Sequence, residues 1–292
     1  MRQPLLSRKL VSVMALVMVI FWAVAAHASD IVAREIKSDV LNRPWRYAVY
    51  LPTGYESSNL QYPTLYLLHG NGGNSTVWAN NGRIQQTMDA LIDSGDIPPA
   101  IVVMPDAGTT WYVDRKEKME SAIIKDLIVD VEKHFRVIRD RTGRLISGNS
   151  MGGYGALRFV FKYPEMFGAA ALFYPAIYET EPPSNSSARQ VGVFGDSFDL
   201  KIWTELNYPR LSYAYLKKKL AVPIFIVSGD DDPFFIESEA AKLYSLLRKN
   251  GQPSELRIVN GGDDWLVVAE TIPEALRYIF RFSARPQPKP TN

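Results

Sequence analysis

Five short apolar runs recur along this chain, and each of them stops at glycine, proline or aspartate. These runs lack the polar–apolar alternation of a strand that has one face exposed to solvent. This lack indicates strands that are covered on both faces, as in a parallel sheet. An earlier run, RYAVYL (46–51), does alternate and predicts a half-buried strand. The five runs are TLYLLHG (64–70), AIVVMPD (100–106), RLISG (144–148), AAALFYP (169–175) and VPIFIVSGD (222–230).

Helical patterns separate these strands. Strands that alternate with helices predict the α/β class, with a mostly parallel central sheet and helices on both of its faces. Right-handed crossovers then bring the carboxyl ends of the strands to one edge, where ligands bind in such folds. The predicted helices cover residues 82–95, 119–137, 152–164, 237–251 and 270–282.

The two ends of the chain differ from its middle. Residues 1–28 have a basic start, an apolar stretch and a small-x-small triplet, and they predict an export signal. An uncleaved membrane anchor is the alternative, because the apolar stretch is about long enough to span a bilayer. Either reading predicts an exported protein, periplasmic or secreted. Residues 30–283 then form one domain, and the proline-rich residues 284–292 predict a disordered tail.

Composition narrows the classes of partner and chemistry. The formal net charge of +2 favours neither a nucleic-acid partner nor an acidic tail. The chain has no cysteine, which excludes disulfides, zinc–thiolate sites and a cysteine nucleophile. These features leave the identity of the ligand and the oligomeric state open.

One motif predicts a nucleophile. Residues 148–152 read GNSMG and match G-x-S-x-G, with a predicted strand before them and a predicted helix after them. Such a strand–turn–helix elbow holds its serine in a strained conformation at the end of the strand, near a helix N-terminus that favours negative charge. We therefore interpret Ser150 as a candidate nucleophile.

An acyl-transfer serine also needs donors for the oxyanion. The backbone N–H of Met151, directly after the serine, is one candidate. The second donor is expected in the glycine-rich stretch LLHGNGGNSTVW (67–78), which follows a buried strand. Within it the N–H of Asn71 is the first choice and that of Gly72 the second.

The segments LHGNGGNSTVW, GNSMGGYGA, SGDDDPFF and GGDDW occur in the order found in the esterase family of α/β-hydrolases. The chain resembles esterase D (S-formylglutathione hydrolase), feruloyl-type esterases and mycolyltransferases over residues 36–282. This resemblance implies the α/β-hydrolase fold, and ester hydrolysis or acyl transfer by a Ser-His-acid triad without a cofactor. It implies Asp232 as the acid, with Asp231 as the alternate.

The chain departs from the family pattern at the triad histidine. The family has G-x-H-x-W before its last helix, whereas this chain reads GGDDW, so Asp263 occupies the histidine position. The other histidines are poor substitutes: His27 belongs to the leader, His134 ends a flanking helix, and His69 fits better as a brace of the glycine-rich loop. A carboxylate is a weaker base than imidazole, although a neighbouring carboxylate such as Asp232 would raise its pKa.

Three functions are compatible with this pattern. The first is a weak or atypical serine esterase, or an acyltransferase to a sugar or alcohol, acting on a small-molecule or glycan-linked ester. The second is a pseudoenzyme that binds such a ligand without turnover, and the third is an exported scaffold. The polar segment 181–190, together with the residues that follow it through 213, predicts an excursion over the edge of the sheet that walls a site. The aromatic residues that could line a pocket or lie in the core are Trp78, Trp111, Tyr112, Tyr154, Tyr174, Trp203 and Trp265.

Overall fold

The computed structural model describes residues 28–289. Eight strands form the main sheet in the order β1-β2-β5-β4-β6-β7-β8-β9, and β3 and β10 form a separate pair. The strands are β1 (Asp30–Ser38), β2 (Arg43–Leu51), β3 (Leu60–Gln61), β4 (Thr64–Leu68), β5 (Ile101–Pro105), β6 (Arg144–Asn149), β7 (Ala169–Phe173), β8 (Ile224–Gly229), β9 (Ser254–Val259) and β10 (Gln287–Pro288).

The predicted mostly parallel sheet is confirmed. Strands β5, β4, β6, β7, β8 and β9 pair in parallel, while β1 and β2 join the β5 side in antiparallel pairing. Every residue of β4, β5, β7 and β8 is buried. Because successive side chains point to opposite faces of a strand, both faces of the central sheet are covered.

The first hairpin differs from the prediction. The run at 46–51 was expected to be half-buried, and this is wrong: β2 is buried over its last five residues. The reason is that β2 lies between β1 and β5, whereas β1 is the edge strand and alternates in burial.

Each predicted helical segment contains a helix, with two differences in detail. Three further helices, at Val77–Asn80, Leu200–Leu206 and Tyr208–Lys217, were not predicted. The segment 119–137 forms α3 and α4, joined by one π-helical stretch at Ile123–Leu127. The last helix begins at Trp265 rather than at 270, because Asp264 caps it. The helices are α1 (Val77–Asn80), α2 (Ile84–Asp93), α3 (Met119–Ala122), α4 (Ile128–His134), α5 (Met151–Lys162), α6 (Leu200–Leu206), α7 (Tyr208–Lys217), α8 (Ile236–Lys249) and α9 (Trp265–Phe280).

The ends of the chain bear on two predictions. The predicted export signal lies outside the described residues except for Ala28. Between residues 28 and 289, no helix combines the length and apolar character needed to cross a membrane. The disordered tail is wrong for residues 284–289: the N–H of Ala284 donates to the carbonyl of Thr142, and β10 pairs with β3. Backbone hydrogen bonds therefore order a segment that its composition alone predicts to be disordered.

Candidate active site

Ser150 occupies the turn between β6 and α5. Its φ of 52° and ψ of −118° lie in a region that residues other than glycine seldom adopt. A β-carbon on Gly148 would lie 2.5 Å from the carbonyl group of Gly152, and one on Gly152 would collide with the carbonyl of Leu68. The two glycines of the motif thus let strand and helix approach closely enough to form this turn.

The main chain fixes Ser150 on both sides. Its N–H donates to the carbonyl of Phe173 at 2.9 Å, and its own carbonyl accepts from the N–H groups of Tyr154 and Ala176, each at 3.0 Å. The side chain is partly exposed and lines a cavity of about 310 Å³. The hydroxyl therefore borders a space large enough for a small ligand.

Two of the three predicted oxyanion donors have an N–H group that is free of backbone pairing in the described residues. Met151 is the first residue of α5, so its N–H has no partner within the helix. Asn71 lines the cavity, and its N–H makes no hydrogen bond to any residue between 28 and 289. Gly72 is wrong as a donor, because its N–H is already paired with the carbonyl of Gly108 at 3.0 Å.

Neither described histidine is placed to act as a base. Nε2 of His69 accepts from the N–H of Ala107 at 2.9 Å, so Nδ1 carries the proton and donates to the carbonyl of Gly70 at 2.7 Å. Burial lowers the pKa of His69. This neutral ring braces the glycine-rich loop, while His134 lies on α4 in contact with Asp130.

Asp232 follows β8 and is 4% exposed. Its Oδ1 accepts from the N–H of Phe234 at 2.7 Å, whereas its buried Oδ2 has no hydrogen-bond partner in the described part of the chain. Burial raises the pKa of the Asp232 carboxyl to about 6. The alternate acid, Asp231, has an exposed side chain and is absent from the cavity wall.

Asp263 lines the same cavity as Ser150. The pKa of its carboxyl is raised to about 7. Burial is the largest cause, and the charges of Asp232 and Asp264 contribute the rest. The negative charge of Asp232 opposes ionisation of Asp263. Across residues 28–289, no hydrogen bond joins the Asp263 carboxyl to Ser150 or to any other group.

Main-chain bonds hold the Asp263 loop against the end of β8. The N–H of Asp231 donates to the carbonyl of Gly261 at 2.8 Å, and the N–H of Gly261 donates to Oδ1 of Asp230 at 3.2 Å. Oδ1 of Asp264 caps α9 by accepting from two N–H groups of its first turn. Despite this density of carboxylates, no group of three or more His, Cys, Asp or Glu side chains in residues 28–289 is suited to hold a metal ion.

The remaining walls of the cavity are aromatic and polar. Of the seven aromatic residues that the sequence singled out, Tyr174 and Trp265 line the cavity, and the other five are buried core residues. The predicted excursion contributes the polar wall and is followed by α6 and α7. Its wall residues are Asn185, Ser186, Ser187 and Gln190.

Several cavity residues had not been singled out from the sequence, among them Asn149, Tyr178 and Phe234. Nδ2 of Asn149 donates to the Tyr174 hydroxyl at 3.1 Å, so the residue before Ser150 positions an aromatic wall. Each of the three follows or ends a predicted strand within a few residues. The rule that parallel strands meet ligands at their carboxyl ends was the signal that could have found them.

Comparison with known proteins places this site in a family. A profile of the Esterase family, described as "Putative esterase", matches residues 38–279. The match covers most of the chain, and the chain belongs to this family. Its mostly parallel sheet and its serine elbow are those of the α/β-hydrolase fold.

Individual relatives agree with this assignment. A ferulic acid esterase of known structure superposes with a TM-score of 0.73 at 30% identity, covering 87% of this chain and 98% of that one. An acetyl esterase of Caldicellulosiruptor saccharolyticus is 29% identical over 78% of this chain and 86% of its own length. An endo-1,4-beta-xylanase/feruloyl esterase of Xylanibacter ruminicola is 36% identical over 46% of this chain, and the match spans 20% of that larger protein.

Proposed function

We propose that the protein is a carboxylic-ester hydrolase in which Ser150 is the nucleophile and Asp263 takes the place of the triad histidine. One observation carries this proposal: the strained serine turn and the Asp263 carboxyl border one cavity, together with a candidate oxyanion donor, Asn71. Membership of the esterase family supports the reaction class.

The first half of the reaction forms an acyl-enzyme. The Ser150 hydroxyl oxygen attacks the acyl carbonyl carbon, and the N–H groups of Met151 and Asn71 stabilise the oxyanion. The serine proton passes through a bridging water to the Asp263 carboxylate, because no direct hydrogen bond joins the two side chains. When the intermediate collapses, the alcohol leaves and takes that proton from Asp263.

The second half releases the acid. A water molecule gives a proton to Asp263 and attacks the acyl-enzyme, and the proton then returns to Ser150 as the carboxylic acid leaves. An aspartate with an ordinary pKa would be too weak a base for these transfers. With a pKa of about 7, Asp263 becomes a base suited to neutral and alkaline pH.

The substitution also predicts a slow enzyme. An aspartate side chain is shorter than an imidazole, so proton transfer needs a water molecule that must be ordered in each turnover. Enzymes that lose a triad member retain roughly 10³–10⁴-fold catalysis over water through the oxyanion hole and substrate binding. We expect turnover above that residual level and below that of a complete triad.

A non-catalytic ligand-binding role is the second candidate. The lack of any hydrogen bond between Ser150 and Asp263 within residues 28–289 favours it. A ligand that raises the melting temperature without being consumed would support this role. Acyl transfer to a sugar or alcohol differs from hydrolysis only in the acceptor that attacks the acyl-enzyme, and product analysis with an added alcohol separates the two.

We also propose that the protein is exported. The support is the sequence of residues 1–28, with its basic start, apolar stretch and small-x-small triplet. Fractionation of cells that express the full chain, followed by N-terminal sequencing, tests both export and cleavage after Ala28.

Covalent labelling tests the proposed nucleophile. A fluorophosphonate probe is expected to form an adduct that peptide mapping assigns to Ser150, and Ser150→Ala removes it. The native protein is expected to hydrolyse p-nitrophenyl acetate as well. An adduct at another residue, or no adduct with no turnover, would contradict the proposal.

A further inference from the structure

The charge on the walls of the active-site cavity is one-sided. Two charged residues line it, Asp263 and Asp264, and both are acidic. No lysine, arginine or histidine from the described ranges lines it, although the whole chain has a formal net charge of +2. An acidic cavity in a slightly basic protein attracts cations and repels anions.

Buried acceptor atoms beside this cavity lack donors. Asn149 lines the cavity and is 6% exposed, and its buried Oδ1 has no hydrogen-bond partner in residues 28–289. The buried Oδ2 of Asp232 also has no hydrogen-bond partner in residues 28–289. The negative charge of Asp232 raises the pKa of the wall residues Asp263, Tyr174 and Tyr178. These buried, unpaired acceptor oxygens add to the negative potential beside the cavity.

The other walls suit a cation as well. Tyr174, Tyr178, Trp265 and Phe234 contribute aromatic rings to the lining. Ring faces attract ammonium groups, and the attraction strengthens when water is excluded. Carboxylates combined with aromatic rings therefore favour a positively charged nitrogen over an uncharged group of the same shape.

We propose that the cavity selects small esters that carry a protonated amine, with the ammonium group held by Asp264 and the aromatic walls. This inference rests on the proposed ester hydrolysis and names its substrate class. The volume of about 310 Å³ lies at the low end for ligand pockets, which favours a compact ester. A bound ammonium also offsets the repulsion among the neighbouring carboxylates.

Two esters of nearly the same shape test the proposal. They are 2-(dimethylamino)ethyl acetate, which is protonated at neutral pH, and its uncharged isostere 3-methylbutyl acetate. We expect kcat/KM for the amino ester to exceed that for the isostere by about tenfold or more, as expected for one well-placed charge interaction. A ratio of one or less, with the isostere hydrolysed, would overturn the proposal.

Two aspartate variants locate the effect. Asp264→Asn removes a wall charge while keeping a residue that caps α9 well, and we expect it to lower the preference for the amino ester by roughly threefold or more. Asp231→Asn removes an exposed charge outside the cavity and is expected to leave the ratio unchanged. Equal effects of the two variants would contradict a specific cation site.

Binding separates this proposal from the proposed catalysis. If neither ester is hydrolysed, the proposed function fails, and calorimetry with Ser150→Ala still tests the cation site. We expect the amino ester to bind about tenfold more tightly than the isostere. Equal or weaker binding of the amino ester would overturn the inference by itself.

Discussion

The two halves of the active site are held in different ways. The nucleophile half is fixed by the main chain: the N–H and the carbonyl of Ser150 are both hydrogen-bonded, and Gly148 and Gly152 leave no room for a side chain. In the base half, Asp232 has one unpaired oxygen, and the Asp263 carboxyl has no hydrogen bond to residues 28–289.

The fold therefore does not depend on which side chain occupies position 263. No described hydrogen bond depends on the side chain at 263, and main-chain bonds at Gly261 and Asp231 keep the course of its loop. The nucleophile half offers no such freedom, because a β-carbon at Gly152 would meet backbone atoms. Substitutions in the nucleophile half should therefore affect activity or folding strongly. Substitutions in the base half should affect stability and activity by changing the charge of the site.

The largest expected effect is on catalysis, from Ser150→Ala. Removing the nucleophile should lower kcat/KM on p-nitrophenyl acetate by about 10³-fold or more. The melting temperature should change little, because the main-chain bonds remain. Ser187→Ala, at another serine of the cavity wall, serves as the control and should stay within a few-fold of the native rate. Comparable losses in the two variants would refute Ser150 as the nucleophile.

The next effect is on stability, from Gly152→Ala. The added methyl group would collide with the carbonyl of Leu68, so we expect the free energy of unfolding to fall by roughly 3 kcal/mol or more. Gly72→Ala is the matched control, since it has a φ of 74° but open space around its β-carbon. Its cost should be about 1–2 kcal/mol, the strain of a left-handed backbone. Urea titrations measure both, and equal costs would count against the steric account of the elbow.

The carboxyl of Asp263, in the base half, should make the stability of the protein depend on pH. The pKa of the Asp263 carboxyl rises on folding from 3.8 to about 7. The contribution of protonated Asp263 to the free energy of unfolding is therefore fully present below about pH 4 and is lost as pH rises through 7. Asp263→Asn should therefore increase the free energy of unfolding at pH 8 by roughly 2–4 kcal/mol, with a smaller difference at pH 4. A variant that is less stable than the native protein at pH 8 would show that the carboxylate is stabilised there.

A smaller effect concerns the pH profile of activity. We expect kcat/KM to rise with pH, with a midpoint of about 7, as Asp263 becomes a carboxylate. Asp232→Asn removes the charge that raises this pKa, so the midpoint should move down by about one pH unit. The exposed neighbour supplies the control, because Asp231→Asn should leave the midpoint in place. If Asp232→Asn does not move it, the two carboxyls do not act on each other.

Local sequence patterns were sufficient for the parts of the fold that depend on local rules. Apolar runs without alternation predicted the central parallel strands, and G-x-S-x-G predicted the turn at Ser150, because its glycines are required by sterics at that point. The burial of β2 and the pairing of Gln287–Pro288 were missed, since both depend on partners far away in the chain: β2 pairs with β5, and β10 pairs with β3.

For the candidate site too, the features that depend on distant parts of the chain could not be predicted from the sequence. The sequence ranked Asn71 before Gly72 as a donor but did not exclude Gly72, and only the folded loop pairs the N–H of Gly72 with the carbonyl of Gly108. The motif assigned Asp263 to the histidine position, but its raised pKa depends first on burial, which is a property of the assembled cavity. The unpaired oxygens of Asp232 and Asn149 have no signature in the sequence at all.

The most direct test of the central claim restores an imidazole at the base position. If Asp263 stands where the base belongs and limits the reactivity of Ser150, Asp263→His should raise kcat/KM on p-nitrophenyl acetate at neutral pH by about 100-fold or more. The same change one residue later, Asp264→His, should give no such gain. A native protein that is already active, with no gain from Asp263→His, would contradict the account.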